Sequence, residues 1–439
     1  MSRLKEIKWN RYSAGIGVEY TQCLSEGRAV EAYQELAKKI DAMPEGAEKE
    51  KLSKALGEVM AAAPMKEAFP FQEPSAYEEI LRLRPEAQAT LPAPGDEAER
   101  RDRVAGAWYG RVAGCLLGKP VECYKKAEIE QVLKNTGNFP LKGYIHRDPK
   151  DPQGEWRCWI DGISGFAPSD DDTNYTVLGL KIVEMFGRDF TPDDVGYAWL
   201  GHLPFLAVCT AEQVAYQNMV NGMLPPESAV YHNPYREYIG AQIRGDYFGY
   251  INPGAPQAAA EMAYRDACIS HVKNGIYGEM LVAAMLAAAA VSQDVKTVIL
   301  AGLGEIPENC RMSQVLRAAL KDYENGVSAQ QAFARLHEEW DEYDPLHWCH
   351  AISNALIVVL SLLYGEMDFG KSLCLSVETG FDTDCNGATV GSILGMMLGR
   401  ARLPEEWLAP FNGVLETGIS GYNRVNIDDM VEITLKHMA

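Results

Sequence analysis

Glycine recurs at every fourth position twice in this 439-residue chain, at Gly106, Gly110, Gly114 and Gly118 and again at Gly387, Gly391, Gly395 and Gly399. Four-residue spacing places each set on one face of a helix. Because glycine inside a helix costs roughly 1 kcal/mol relative to alanine, two such ladders need a packing reason. A face almost free of side chains lets a second backbone lie close against it, so both helices are expected to be central and closely packed. Strand signals are rare elsewhere. The expected fold class is therefore all-α, a compact multi-helix domain.

The second ladder follows directly on Glu378-Thr379-Gly380-Phe381-Asp382-Thr383-Asp384-Cys385-Asn386-Gly387, where the chemistry is expected. Upstream of it, Ala355 to Tyr364 and Leu373 to Val377 are apolar enough to be largely buried, so Asp382 and Asp384 sit between buried segments. A buried carboxylate without a cation or a set of donors is costly. A second cluster, Asp170-Asp171-Asp172, precedes the apolar run Val177 to Phe186. For an isolated triplet, helix N-terminal acids favoured by the macrodipole are the simpler reading. Two clusters, each at a helix start and each flanked by core-like sequence, are more economically explained by convergence on hard divalent cations, Mg²⁺ or Mn²⁺ rather than zinc. Asp382-Thr383-Asp384 also resembles the opening of an aspartyl-phosphate phosphatase motif, but that motif needs a preceding strand and an α/β sheet, and neither is evident.

Length and charge narrow the partners. The chain exceeds a usual single core, and a proline-rich stretch from Arg84-Pro85 to Pro94-Gly95 suggests a boundary: a helical extension over 1–95 and a main domain over 96–439, with Asp96 as N-cap of the first ladder helix. A formal charge of −20 argues against nucleic acid or an anionic membrane as the main partner. The ten cysteines are scattered singly, as expected of reduced thiols in a cytoplasmic protein. No apolar run approaches the roughly 20 residues of a membrane span. In the extension, Pro44-Glu45-Gly46 marks a turn between helices. Tyr124 to Pro168 reads as a long loop containing Trp156 and Trp159, aromatic residues that in such a loop more often cover a core edge than stack on a ring such as adenine. Thr191-Pro192 starts a helix. Asn233 to Pro256 reads either as a loop shaped for a ligand or as a surface excursion, and Ala258 to Ala290 as helix broken near Asn274-Gly275, carrying His271.

Gly114-Cys115-Leu116-Leu117-Gly118-Lys119-Pro120-Val121-Glu122, then Asp170-Asp171-Asp172-Thr173, then Gly380-Phe381-Asp382-Thr383-Asp384-Cys385 resemble in order and spacing the ADP-ribosylglycohydrolase family, which includes the dinitrogenase reductase-activating glycohydrolase. The resemblance spans roughly Arg101 to Trp407. It implies an all-α fold, a dinuclear Mg²⁺ (or Mn²⁺) centre at the base of a cleft, and hydrolysis at the ribose anomeric carbon of an ADP-ribosylated or small-molecule substrate.

Carried over position by position, Asp171 and Asp172 match the first metal motif, and Asp170 adds a carboxylate where many relatives have threonine or serine. Asp382 and Asp384 match the second motif, with Cys385 in place of its usual hydroxyl residue. Glu122 matches a glutamate beside the scissile bond and is assigned proton transfer, with Asp171 and Asp384 as further catalytic candidates. Ser270-His271 falls near a Thr-His pair of the family, which makes His271 a substrate-binding candidate. In place of an Asn-Gly-rich motif preceding an arginine there is Ile243 to Tyr250, so Arg244 and Asp246 are candidates for recognising a different leaving group. The alternatives are an N-ribosyl hydrolase of a nucleoside-like metabolite and a non-catalytic binder on the same fold.

Overall fold

The computed structural model describes residues 7–86, 89–150 and 158–438. The ladder helices, Glu97–Gly118 and Thr383–Leu398, pack against each other more extensively than any other pair of elements. They run antiparallel, with Gly106 against Gly395, Gly110 against Gly391 and Gly114 against Gly387. A Cβ built at any of these six glycines would land far inside van der Waals contact of the partner's carbonyl oxygen. Side chains are absent because backbone touches backbone. The Asp96 carboxylate caps the first helix by accepting from Glu99 N at 2.9 Å, and after Gly118 the chain tightens into a single turn, Lys119–Val121.

Among the described residues there are 21 α-helices and one two-stranded antiparallel ribbon, Val414–Glu416 with Arg424–Asn426. The fold is all-α. Two helices, Asn274–Ala289 and Ala351–Tyr364, are buried over their whole length, which matches sequence apolar on every face. Together with Phe369–Glu378 they surround the second ladder helix.

Two readings need correction. The stretch from Tyr124 to Pro168 is not loop throughout: Lys126–Thr136 is a helix that buries Ile129, Val132 and Leu133 and ends at a left-handed Gly137. Its many charges hide a short apolar stripe at three- and four-residue spacing. Within the same stretch Trp159 is buried in the main core, the commoner role for an aromatic residue in a long loop and not a platform for adenine, and Trp156 lies outside the described residues. Finally, Asn233 to Pro256 is neither excursion nor open loop, because Asn233 to Asn252 is buried throughout. His271 lies in the link between the helices Pro256–Ala267 and Asn274–Ala289.

The N-terminal residues have their own small core of Tyr12, Ile16, Tyr20, Cys23, Val30, Ala37, Ile40, Leu56 and Met60. They dock on the main body through buried ions. Arg236 pairs with Glu19 at 3.0 Å and Glu26 at 2.7 Å, and Arg311 pairs with Glu73 at 2.7 Å and Glu237 at 2.8 Å. No described helix is long and apolar enough to cross a membrane.

Candidate active site

The antiparallel register of the ladders decides what meets what. It brings the end of the first helix against the start of the second, so Thr383 Oγ1 donates to Gly118 O at 2.9 Å. Lys119 and Glu122 therefore stand next to Asp382 and Asp384. The third component is the helix Asp171–Phe186, capped by Asp170, whose carboxylate accepts from Asp172 N at 3.0 Å. Arg111, buried midway along the first ladder helix, ties this helix down. Its guanidinium donates to Asp172 O at 2.8 Å and Oδ1 at 3.2 Å, and it pairs with Asp246 at 2.9 Å.

The loop entering the second ladder helix is held in an unusual conformation. Gly380 and Phe381 both have positive φ, 84° and 62°, and a non-glycine residue there carries strain of about 1–3 kcal/mol. Asn354 clamps the far side: its Oδ1 accepts from Asp382 N at 3.3 Å and from Asn386 Nδ2 at 2.8 Å, while its Nδ2 donates to Trp348 O and His350 O. The Cys349 thiol donates to Asp382 Oδ2 at 3.6 Å.

Five aspartates thus converge from two segments more than 200 residues apart in sequence. Asp172 and Asp384 are 0% and 2% exposed. Burial pushes Asp171, Asp172, Asp382 and Asp384 above the usual carboxylate range, and neighbouring aspartate charges add to the effect. Burial also works against the charge of Asp170, but the Lys119 ammonium outweighs it and holds that carboxyl below the range. Glu122, half-buried, is raised well above it, first by the charge of Asp384 and then by burial.

The residues present fit a hard divalent cation. Asp172 Oδ2 and Asp384 Oδ1 are buried oxygens with no hydrogen-bond partner among the described residues, and carboxylate oxygen is the donor that Mg²⁺ and Mn²⁺ prefer. Among the described residues, two groupings bring potential ligand atoms within 4.8 Å of one another: Cys115 with Asp170 and Asp172, and Asp172 with Asp384 and Cys385. Burial raises both thiols well above their ordinary range, so each is a neutral, weak donor.

The three substrate-binding candidates stand elsewhere. Arg244 is interior, paired with Glu212 at 3.1 Å, Asp266 and Glu279, and stacked on Trp199 and Tyr175. Asp246 is spent on Arg111. His271 is 1% exposed with Ser270 Oγ at 2.8 Å from Nδ1, and burial holds it neutral, well below the usual imidazole range. A buried ion must be paired inside the protein, and Arg244 and Asp246 are committed to that pairing rather than presented to a cleft, while His271 is enclosed as a neutral core residue.

Sequence reading missed Arg111, Cys115, Lys119 and Asn354. A signal for the first three was present. Arg111, Cys115 and Lys119 are four residues apart and form a polar stripe beside the glycine ladder, which puts them on the helix face turned toward the acids.

An all-α scaffold with a buried, oxygen-rich carboxylate site between a glycine-packed helix pair and a third helix start is chemically suited to hold divalent cations. A family model, ADP-ribosylglycohydrolase, matches residues 96–435, and the chain belongs to that family. A solved structure described as an ADP-ribosylglycohydrolase-related protein complex is similar at 19% identity and a TM-score of 0.47, over 78% of this chain and 98% of that one. No curated protein matches the chain in sequence.

Proposed function

We propose that this protein is a metal-dependent glycohydrolase that cleaves the bond at the anomeric carbon of an ADP-ribosyl or ribosyl group, with residues 96–439 as the catalytic domain and 1–95 as an extension docked on it. The observation that carries the reading is the pair of unpartnered, buried oxygens, Asp172 Oδ2 and Asp384 Oδ1, aimed into one acidic cluster. Mg²⁺ or Mn²⁺ held there would supply Lewis acidity toward ribose oxygens and a more acidic water. The chain's own residues do the rest. Arg111 and Asn354 hold the two acidic helix starts in register. Glu122, raised above the usual carboxylate range by the charge of Asp384 and by burial, is the candidate to pass a proton to the leaving group as general acid, and Asp171 and Asp384 are the candidates to orient the attacking water.

The test is a product assay with Mg²⁺, offering an ADP-ribosylated arginine peptide, O-acetyl-ADP-ribose and a panel of ribonucleosides, with mass spectrometry of the released sugar. Free ADP-ribose, lost on chelation and in Asp384→Ala, is the expected result. Free ribose from a nucleoside instead would assign the narrower N-ribosyl hydrolase activity. No metal-dependent product from any substrate would refute the proposal and favour a non-catalytic binder.

A further inference from the structure

Both oxygens of Asp170 are already used inside the chain. Oδ1 caps the helix by accepting from Asp172 N, and Oδ2 is ion-paired with the Lys119 ammonium. The side chain of Asp170 is 2% exposed and that of Lys119 20%, so this is a largely buried pair and not a surface contact that water would dissolve. Lys119 stands there because the glycine ladder ends one residue earlier, which puts its stem on the same face as Arg111 and Cys115.

The two ligand groupings therefore differ. Cys115 with Asp170 and Asp172 offers a neutral thiol, a carboxylate already matched by an ammonium, and Asp172. The other, Asp172 with Asp384 and Cys385, contains the two buried oxygens of the acidic cluster that lack a hydrogen-bond partner, Asp172 Oδ2 and Asp384 Oδ1. An ammonium is a compact point charge with three donors, and this one already matches the charge of Asp170, so a cation in the first grouping would find one carboxylate fewer to hold it.

We propose that the Lys119 ammonium takes the place of one of two cations, so that the native site holds a single divalent ion at Asp172 and Asp384 while Lys119 serves the Asp170 position. This rests on the metal-dependent reading above and departs from the two-ion centre expected from sequence. Lys119 is then a fixed positive charge that chelators do not remove and that stays at the site between turnovers.

The experiment counts ions in the full-length protein, stripped by a chelator, loaded with Mn²⁺ and desalted. Metal content per chain is measured by mass spectrometry and the coupling between ions by electron paramagnetic resonance. Wild type is expected to hold one Mn²⁺ per chain with an isolated six-line spectrum. Lys119→Met, which keeps the stem and removes the charge, is expected to hold two with an exchange-coupled spectrum, and Lys119→Arg to return to one. Circular dichroism shows whether each variant is folded, and the wild-type count stands without them. Two coupled ions in wild type would overturn the Lys119 assignment alone, as would a single ion in folded Lys119→Met. No bound Mn²⁺ in any form would overturn the metal-dependent reading itself.

Discussion

Replacing Gly110 by alanine tests the backbone contact on which the site is built. In a free helix the change would be favourable by about 1 kcal/mol. Here the new Cβ lies 2.8 Å from the carbonyl carbon of Gly391, where carbon atoms at rest keep about 3.5–4.0 Å, so the two helices must part by about 1 Å. Both sides of the contact are backbone, and no rotamer change relieves it. Overpacking of a tight core costs about 1–3 kcal/mol, occasionally more. Because the gain in helix propensity has to be overcome first, we expect a net loss of up to about 2 kcal/mol in urea denaturation followed by circular dichroism. Gly201 is the internal control. It lies in the helix Pro192–His202, and nothing stands within 4 Å of the position an added methyl group would take, so Gly201→Ala should be neutral or stabilise by up to about 1 kcal/mol. If Gly110→Ala were as stable as Gly201→Ala, the ladders would not be in backbone contact, and the register that places Lys119 beside Asp384 would lose its foundation.

Two further outcomes are expected. Arg111→Met removes the partner of two fully buried carboxylates, Asp172 and Asp246, and should lower stability by about 3–5 kcal/mol in the same denaturation assay; a loss below 1 kcal/mol would show that these acids do not depend on it. His337 is lowered to about 4, chiefly by burial, against about 6.5 unfolded. Its folded value is depressed, so the unfolded chain binds the extra proton, and the stability it contributes is present above pH 6.5 and lost as pH falls toward 4. Between pH 7 and 4.5 wild type should therefore lose about 1–2 kcal/mol more than His337→Gln, after discounting for the partial solvent exposure of the ring. Denaturation midpoints across pH measure this, and parallel curves would refute the assignment.

Much of the site was legible because its signals are local. A four-residue glycine period can only describe a helix face, and Asp96 before an apolar-periodic run can only be a cap. The acidic clusters announced themselves by standing between apolar segments. The segment Asn233 to Asn252 misled for the opposite reason. Its tyrosines, arginines and glycines have loop-like composition, yet Arg236 and Arg244 are buried by acids supplied from Glu19, Glu26, Glu212, Asp266 and Glu279. No window of sequence contains both halves of those pairs.

The sequence by itself determined that two helices would be stripped of side chains along one face, that the fold would be all-α, and which aspartates would gather. Only the tertiary structure decided that the stripped faces belong to each other and run antiparallel. It also decided that Lys119 matches Asp170 and that Arg111 holds Asp172, leaving Asp172 Oδ2 and Asp384 Oδ1 without partners. The physical reason is that periodicity names the face a helix buries but not what it is buried against. Charge compensation depends on distances of a few ångströms between residues far apart along the chain.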